Sequence, residues 1–245
     1  IEYIAKCQAK INALKDSLKG KVGESLSDVS ELIYKAPEVK FEDVIGLDYV
    51  KQKIIEAIIY PSKRRDLFPL GWPRNILLFG PPGCGKTLLC VAIANEVNGV
   101  MLYLDSSLIF SKWLGESEKN IAKVLNFARK LDDEGKTVII FIDEADSIFG
   151  IRYYEVGGEI RVRNQLLAEL DGLKDKNTLR KIYLIASTNK PWLFDQAFLR
   201  RFQLRLYIPP PDFKARVELF KYYSKSLKPD SSVDFNKLAE LTHNY

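Results

Sequence analysis

A glycine-rich stretch, Gly80–Thr87, constrains the fold of this chain more than any other segment. It follows the apolar run Ile76–Phe79 and opens the apolar-rich stretch Leu88–Val97, which gives the order strand, tight turn, helix. The backbone N–H groups and the dipole at such a helix start attract anions, and glycine lets the backbone approach them closely. We therefore predict a phosphate-binding loop, since an ordinary glycine–proline surface turn would require neither the full pattern nor this context.

The last residues of this loop carry the side chains that a bound nucleoside triphosphate needs. The ammonium of Lys86 would reach the β- and γ-phosphates, and the hydroxyl of Thr87 would bind Mg²⁺. The loop thus predicts ATP or ADP with Mg²⁺ as its ligands. The residues expected to contact the nucleotide are Pro82, Gly83, Cys84, Gly85, Lys86, Thr87 and Leu88.

Two acidic residues, Asp143 and Glu144, follow the continuous apolar run Thr137–Ile142, which is typical of a buried parallel strand. Asp143 would hold Mg²⁺ beside Thr87, directly or through water, and Glu144 would accept a proton from the attacking water. Phosphoryl transfer depends mainly on positioning and charge neutralisation, which such a pair can supply. The structural alternative is a pair of acids that stabilises a helix dipole. Asp146, which follows closely, receives no role.

Further polar residues follow the later strands. Asn189 comes after the apolar stretch Lys181–Ser187 and could hydrogen-bond the γ-phosphate or the attacking water. Taken by itself, an asparagine before Lys-Pro is more often a turn residue than a ligand. Arg200 and Arg201 are adjacent, and two such arginines on their own are typical of a solvated or carboxylate-paired face.

Strand and helix patterns alternate along the chain, which predicts an α/β fold with a parallel sheet flanked by helices and a ligand site at the carboxyl ends of the strands. The predicted strands are Ile76–Phe79, Val100–Leu104, Thr137–Ile142, Lys181–Ser187 and Leu204–Ile208. The predicted helices are Ile1–Leu18, Tyr49–Tyr60 ended by Pro61, Leu88–Val97, Ser117–Leu131, Arg161–Leu173 and Phe213–Lys225 capped by Asp212. Lys19–Pro37 is predicted as a linker, and Phe41–Leu47 as an extended stretch with a turn.

Composition excludes several classes of function. His243 is the only histidine, which excludes Ser-His-Asp, Cys-His and multi-histidine metal chemistry. The cysteines at 7, 84 and 90 form no C-x-x-C pair, so no zinc site or disulfide framework is predicted and a reducing, cytoplasmic location is expected. No apolar run reaches the ~18 residues of a membrane span, and no signal peptide is predicted. The net charge of +5 permits an acidic partner without indicating nucleic acid.

Taken together, these motifs resemble the AAA family of ATPases from about residue 37 to residue 245. Thr188–Asn189 and Asp195–Phe202 are similar to its second region of homology, and Asp43–Leu47 to its adenine-side segment. Within the family the chain most resembles the meiotic clade, which includes katanin, spastin and the vacuolar-sorting ATPase that disassembles ESCRT-III filaments. The segments that carry this closer resemblance are Leu67–Arg74, Ser111–Glu118 and Arg200–Phe202, with Gly158–Gln165 and Asn189–Trp192 especially similar to archaeal members that act in cell division.

The resemblance implies a hexameric ring with ATP at the subunit interfaces. Arg200 and Arg201 would then act in trans on a neighbour's γ-phosphate, and Asn189 would stand at the sensor 1 position. Trp113 and Leu114 match the pore loop that grips peptide without reading its sequence, although core packing of Trp113 is the alternative. A second pore loop is implied at Ile151–Gly158, with an atypical Tyr153-Tyr154 pair, and an adenine-side contact at Asp43, Ile45 and Gly46.

We predict three parts in this chain. Residues 1–36 are an amphipathic helix and linker that resemble the end of an MIT domain, residues 37–212 the large ATPase subdomain, and residues 213–245 the start of a truncated helical lid. The predicted function is an ATP-hydrolysing motor that pulls polypeptide through a hexamer pore and disassembles ESCRT-III-like filaments in cell division or membrane scission. Membrane association would be indirect, with no direct contact with nucleic acid. The alternatives are a microtubule-severing or unfoldase-type ATPase with another client, a nucleic-acid motor, and a nucleotide-gated scaffold.

Overall fold

The structure is a computed structural model of the 245-residue chain. It describes residues 32–34, 37–104, 117–151, 157–173, 180–225, 227, 230 and 233–243. Several predictions lie outside these residues: the helix Ile1–Leu18 with most of the linker, the pore residues Trp113 and Leu114, and the Tyr153-Tyr154 pair.

The described part of the chain contains a parallel sheet of five strands. The strands are β1 Asn75–Phe79, β2 Val100–Leu104, β3 Val138–Ile142, β4 Ile182–Thr188 and β5 Leu204–Tyr207. Their order across the sheet is β2-β3-β4-β1-β5, and every neighbouring pair is parallel. The predicted parallel α/β fold is confirmed, and the carboxyl ends of β3, β4 and β1 lie side by side at one edge.

Helices flank this sheet. They are α1 Asp48–Ile54, α2 Tyr60–Lys63, α3 Lys86–Glu96, α4 Ser117–Asp133, α5 Asp146–Phe149, α6 Gly157–Leu173, α7 Gln196–Leu199, α8 Phe213–Ser224 and α9 Phe235–Leu241. Short 3₁₀ turns lie at Phe41–Asp43, Arg65–Leu67 and Pro191–Leu193. Among the described residues, no helix combines the length and the apolar character needed to cross a membrane.

Alternate residues of the strands point to opposite faces of the sheet, and each face builds its own core. On one face Ile140 and Leu184 pack with side chains of α4 and α6. On the other face Ile139 and Tyr183 pack with side chains of α1 and α3. Because β3 and β4 are buried along their whole length, their sequences have no polar–apolar alternation.

The helix that begins at Asp48 does not end at Pro61, so that prediction was wrong. A π-helical turn, Ile55–Ile59, follows α1, and α2 then continues to Lys63. Pro61 lies in the first turn of α2, where its missing N–H is tolerated. The wider π-helical turn changes the hydrogen-bond register, which periodicity alone does not reveal.

The first part of the predicted extended stretch after residue 40 is also different. Phe41–Asp43 forms a 3₁₀ turn. Asp43 N donates to Lys40 O at 3.0 Å, and Lys40 N donates back to Asp43 Oδ2 at 2.8 Å. This reciprocal pair supplies local partners that favour a turn over an extended backbone.

The described end of the predicted linker covers the outer edge of the sheet. Ile33 forms an antiparallel bridge with Leu102 of the edge strand β2, and Tyr34 N donates to Met101 O at 2.8 Å. An uncovered edge would offer unpaired N–H and C=O groups to other chains. Residues 32–34 therefore protect β2 from such pairing.

Helices α8 and α9 pack together after the last strand. Asp212 caps α8 as predicted, accepting a hydrogen bond from Ala215 N at 2.7 Å. The buried guanidinium of Arg216 donates to Ala239 O at 3.1 and 3.2 Å and to Pro211 O at 2.9 Å, which ties α8 to α9. The division of the chain at residue 212 stays a prediction.

Candidate active site

The glycine-rich loop joins β1 to α3 at the carboxyl edge of the sheet. Gly83 and Gly85 adopt left-handed conformations, with φ of 78° and 84°, and a Cβ at either position would meet no atom within 4 Å. The loop therefore borders open space with bare backbone, which suits a phosphate group. Lys86 is buried, and its Nζ donates to Gly80 O at 2.9 Å and to Pro81 O at 2.7 Å. The positive charge is thus held inside the loop.

The other predicted nucleotide contacts flank this loop. Pro82 is exposed, and Leu88 is half-buried in the first turn of α3. Cys84 is half-buried, with its Sγ 3.8 Å from Pro82 O. Burial raises the pKa of the Cys84 thiol, so the side chain stays protonated at neutral pH and adds no negative charge near a phosphate.

Asp143, at the end of β3, contacts the first turn of α3 and the end of β4. Its Oδ2 accepts a hydrogen bond from Thr87 Oγ1 at 3.2 Å. Its Oδ1 accepts from Ser187 Oγ and, at 3.0 Å, from Glu144 N. The structure thus brings the two predicted metal ligands, Thr87 and Asp143, into contact. A hydroxyl with one carboxylate suits Mg²⁺, which takes few protein ligands and completes its shell with water and phosphate oxygens.

Glu144 has an uncommon backbone conformation at the end of β3. Its φ of 51° lies in the left-handed region, which costs a residue with a Cβ about 1 kcal/mol or more. The turn is held by Ser147, whose N and Oγ donate to Glu144 O at 3.0 and 2.7 Å. The Glu144 side chain is exposed beside Asp143 in sequence. Uncommon backbone conformations of this kind cluster at functional sites, and this one directly follows Asp143.

Asn189 directly follows β4. In the described part of the chain its Oδ1 is buried and has no hydrogen-bond partner, which is uncommon for a buried polar atom. Thr188 Oγ1 donates to Asp146 Oδ1 at 2.7 Å and accepts from Lys190 N at 2.9 Å. The sequence did not predict these contacts of Thr188 and Asp146, nor the contact of Ser187 with Asp143. Their only signal was three polar residues at the end of an apolar strand.

The segment before α1 is attached to the helix that carries the lysine. Asn95 of α3 donates through Nδ2 to Pro37 O and to Val39 O, both at 2.9 Å. Val44 is buried in the same core as the apolar residues of α3. The predicted adenine-side segment therefore lies next to the helix that begins at the phosphate-binding loop.

The same segment also contacts α8. Gly46 has φ of 69°, and a Cβ there would lie 3.1 Å from the Cβ of Ala215. The hydroxyl of Tyr222 donates to Asp43 Oδ1 at 3.2 Å. Ile45 is half-buried. Asp43 and Gly46 thus lie against α8, and Ile45 lies between them in sequence.

Arg200 and Arg201 lie at the amino-terminal ends of the strands, opposite the ends that carry the phosphate-binding loop. They precede β5, and Asn75 Nδ2, at the first residue of β1, donates to Arg201 O at 3.2 Å. The phosphate-binding loop follows the other end of β1. β1 has five residues at ~3.3 Å each, so the backbone at Arg201 and the start of the phosphate-binding loop are about 15 Å apart. The arginines therefore do not join Lys86 and Asp143 in the site of their own chain.

The two arginines have different surroundings. Arg201 donates to Asp171 Oδ2 through its Nε at 3.2 Å and through NH2 at 2.9 Å, and to Ala197 O at 2.9 Å. Arg200 is exposed. Arg201 is thus paired with a carboxylate of its own chain, which was one of the two alternatives that the sequence left open. An ion pair this exposed contributes about 0–1 kcal/mol, so Arg201 could exchange Asp171 for a phosphate at little cost.

A phosphate-binding loop between a strand and a helix, beside a second strand that ends in acids, defines the P-loop nucleoside triphosphatases. Within this class the chain belongs to the AAA family. Residues 76–210 match the family described as "ATPase family associated with various cellular activities (AAA)".

The relatives support the same assignment. Cell division protein C of Sulfolobus acidocaldarius is 52% identical over 219 residues, which are 89% of this chain and 58% of that protein. Vacuolar protein sorting-associated protein 4B of Mus musculus is 39% identical over 220 residues, 87% of this chain and 48% of that protein. The chain thus spans about half the length of these relatives. The crystal structure of the FIGL-1 AAA domain in complex with ADP is similar with a TM-score of 0.74 and 29% identity, covering 92% of this chain and 76% of that chain. The resemblance to AAA ATPases of the vacuolar-sorting and archaeal cell-division type is confirmed.

Proposed function

We propose that this chain hydrolyses ATP as the motor module of a ring-shaped protein-remodelling ATPase. Lys86 and the loop amides bind the phosphates, while Thr87 and Asp143 hold Mg²⁺. When bound, Mg²⁺ neutralises charge on the phosphate oxygens. Glu144 accepts the proton of the attacking water, and Asn189, at the end of the neighbouring strand β4, orients that water. Membership of the AAA family supports the reaction, and the contact of Thr87 with Asp143 supports the metal site.

One observation carries the ring proposal: the arginines lie a strand's length from the loop of their own chain. A guanidinium at that edge can neutralise a γ-phosphate only if the nucleotide belongs to another copy. We therefore propose that Arg200 and Arg201 complete the site of a neighbouring subunit. The resemblance to the family favours six subunits in the ring.

We further propose that the client is a polypeptide, specifically an ESCRT-III-like filament protein in cell division or membrane scission. Similarity to relatives named for cell division and for vacuolar protein sorting supports this choice. Residues 1–36 would end an MIT-like domain, and residues 213–245 would begin the lid. Association with membranes would then come through the client. The cytoplasmic location and the absence of direct nucleic-acid contact stay predictions.

Replacing Trp113 with alanine tests the client proposal. In the full-length protein we expect candidate filament proteins to stimulate ATP turnover, and Trp113→Ala to remove this stimulation, because the aromatic side chain would grip the polypeptide. Phosphate release measured with and without client gives the result directly. Trp113→Phe keeps an aromatic ring and should keep most of the stimulation. If Trp113→Ala were stimulated as strongly as the unmodified protein, the gripping role would be wrong.

A further inference from the structure

The hydroxyl of Thr188 forms hydrogen bonds with two neighbours, donating one and accepting one. Thr188 is the last residue of β4 and is 1% exposed. Its Oγ1 donates to Asp146 Oδ1 at 2.7 Å and accepts from Lys190 N at 2.9 Å. The second bond closes a turn around Asn189, and the first fixes that turn to α5. The place of Asn189 therefore depends on a side-chain contact outside its own strand.

The contact with Asp146 adds to two others between the same segments. Ala145 N donates to Ser187 O at 2.8 Å, and Ser187 Oγ donates to Asp143 Oδ1. The segment after β3 carries Glu144, and the segment after β4 carries Asn189. Together these three hydrogen bonds fix the two segments relative to each other.

We propose that Asp146 and Thr188 are positioning residues that keep Asn189 directed at the water that Glu144 deprotonates. Asn189 Oδ1 is buried and accepts no hydrogen bond from the described residues, so no bond of its own holds this oxygen, and its place depends on the turn that Thr188 closes. The Thr188–Asp146 bond supplies this constraint. The inference rests on the roles proposed for Glu144 and Asn189, and it gives Asp146 a function that its sequence context did not indicate.

Thr188→Val and Thr188→Ser in the full-length protein form the test. Valine has nearly the shape of threonine but lacks the hydroxyl, whereas serine keeps it. We expect Thr188→Val to lower kcat about tenfold or more, since misplacing a reacting group by about 1 Å can cost up to ~10²-fold. The Kd for ATP should stay unchanged, because the phosphate-binding loop is not altered. Thr188→Ser should restore most of the lost turnover.

Asp146→Ala supplies a second, independent variant. If the pair acts as one unit, Asp146→Ala should resemble Thr188→Val, and the double variant should be no worse than either single one. If the double variant lost turnover by the product of the two single losses, the two residues would act independently and the inference would be overturned. Thr188→Val with normal kcat, or with kcat and ATP affinity reduced together, would also overturn it.

A parallel measurement on Glu144→Gln separates this inference from the function on which it rests. Loss of turnover in Glu144→Gln with normal turnover in Thr188→Val would overturn only the positioning role. Normal turnover in Glu144→Gln would overturn both. Loss in both variants, with ATP binding retained, supports the positioning role.

Discussion

Glu144→Gln is expected to bind ATP and to lose turnover by about 10²–10⁴-fold, the usual contribution of a general base. The glutamine amide has nearly the same shape as the carboxylate but does not accept a proton from water. Lys86, Thr87 and Asp143 are unchanged in this variant, so the ATP affinity should be kept. Single-turnover phosphate release and equilibrium ATP binding separate the two effects.

An exposed glutamate elsewhere gives the matched control for that change. Glu134 forms an exposed ion pair with Lys136 at 2.8 Å, far in sequence from the loop. Glu134→Gln should hydrolyse ATP normally, since exposed ion pairs contribute about 0–1 kcal/mol. Near-normal turnover in Glu144→Gln would remove Glu144 as the base.

Arg200→Ala and Arg201→Ala are each expected to keep ATP binding and to lose turnover, by as much as about 10³–10⁵-fold where arginine fingers act. The loss follows from the sheet, because each arginine lies at the edge away from its own loop and so would serve a neighbour's nucleotide. Turnover has to be measured in the assembled ring, with assembly checked for each variant. Normal hydrolysis by both single variants in that ring would contradict the assignment.

Asp171→Ala distinguishes a trans role of Arg201 from a local structural one. Arg201 pairs with Asp171 in its own chain at 2.9 Å, so Arg201→Ala also removes that ion pair. If Arg201 acts on a neighbour's phosphate, Asp171→Ala should keep most of the turnover. If Asp171→Ala lost as much turnover as Arg201→Ala, the ion pair itself would be what matters.

The position of the central site residues could be predicted because it depends on the strand–turn–helix order along the chain and on the sheet being parallel. A strand, a glycine-rich turn and a lysine at the start of a helix determine where Lys86 and Thr87 lie. Parallel strands place their carboxyl ends at one edge, so Asp143 after a second buried strand was expected on the same side of the sheet as Thr87. In the structure the two side chains are in contact at 3.2 Å, and their role as metal ligands stays a prediction.

The remaining contacts of the site could not be predicted from the sequence. They depend on the directions of side chains at the ends of strands that are far apart in sequence. Thr188 meets Asp146 across 42 residues, and the amino-acid pattern favours no partner for either. The left-handed φ of Glu144 is likewise invisible, since glutamate seldom adopts it. At Pro61 the sequence pattern predicted a helix end that the structure does not have. A proline after regular helical spacing usually ends a helix, but here it follows a π-helical turn and the helix continues to Lys63.

The molecular mass of the full-length protein, measured together with its ATP turnover over a range of protein concentrations, tests the shared nucleotide site most directly. If one copy supplies Lys86, the metal ligands and Glu144 while its neighbour supplies the arginines, ATP should shift the protein from single chains to rings. Turnover per chain should then rise with the fraction of chains in rings. A protein that stayed monomeric in ATP and hydrolysed it at an undiminished rate per chain would contradict this account.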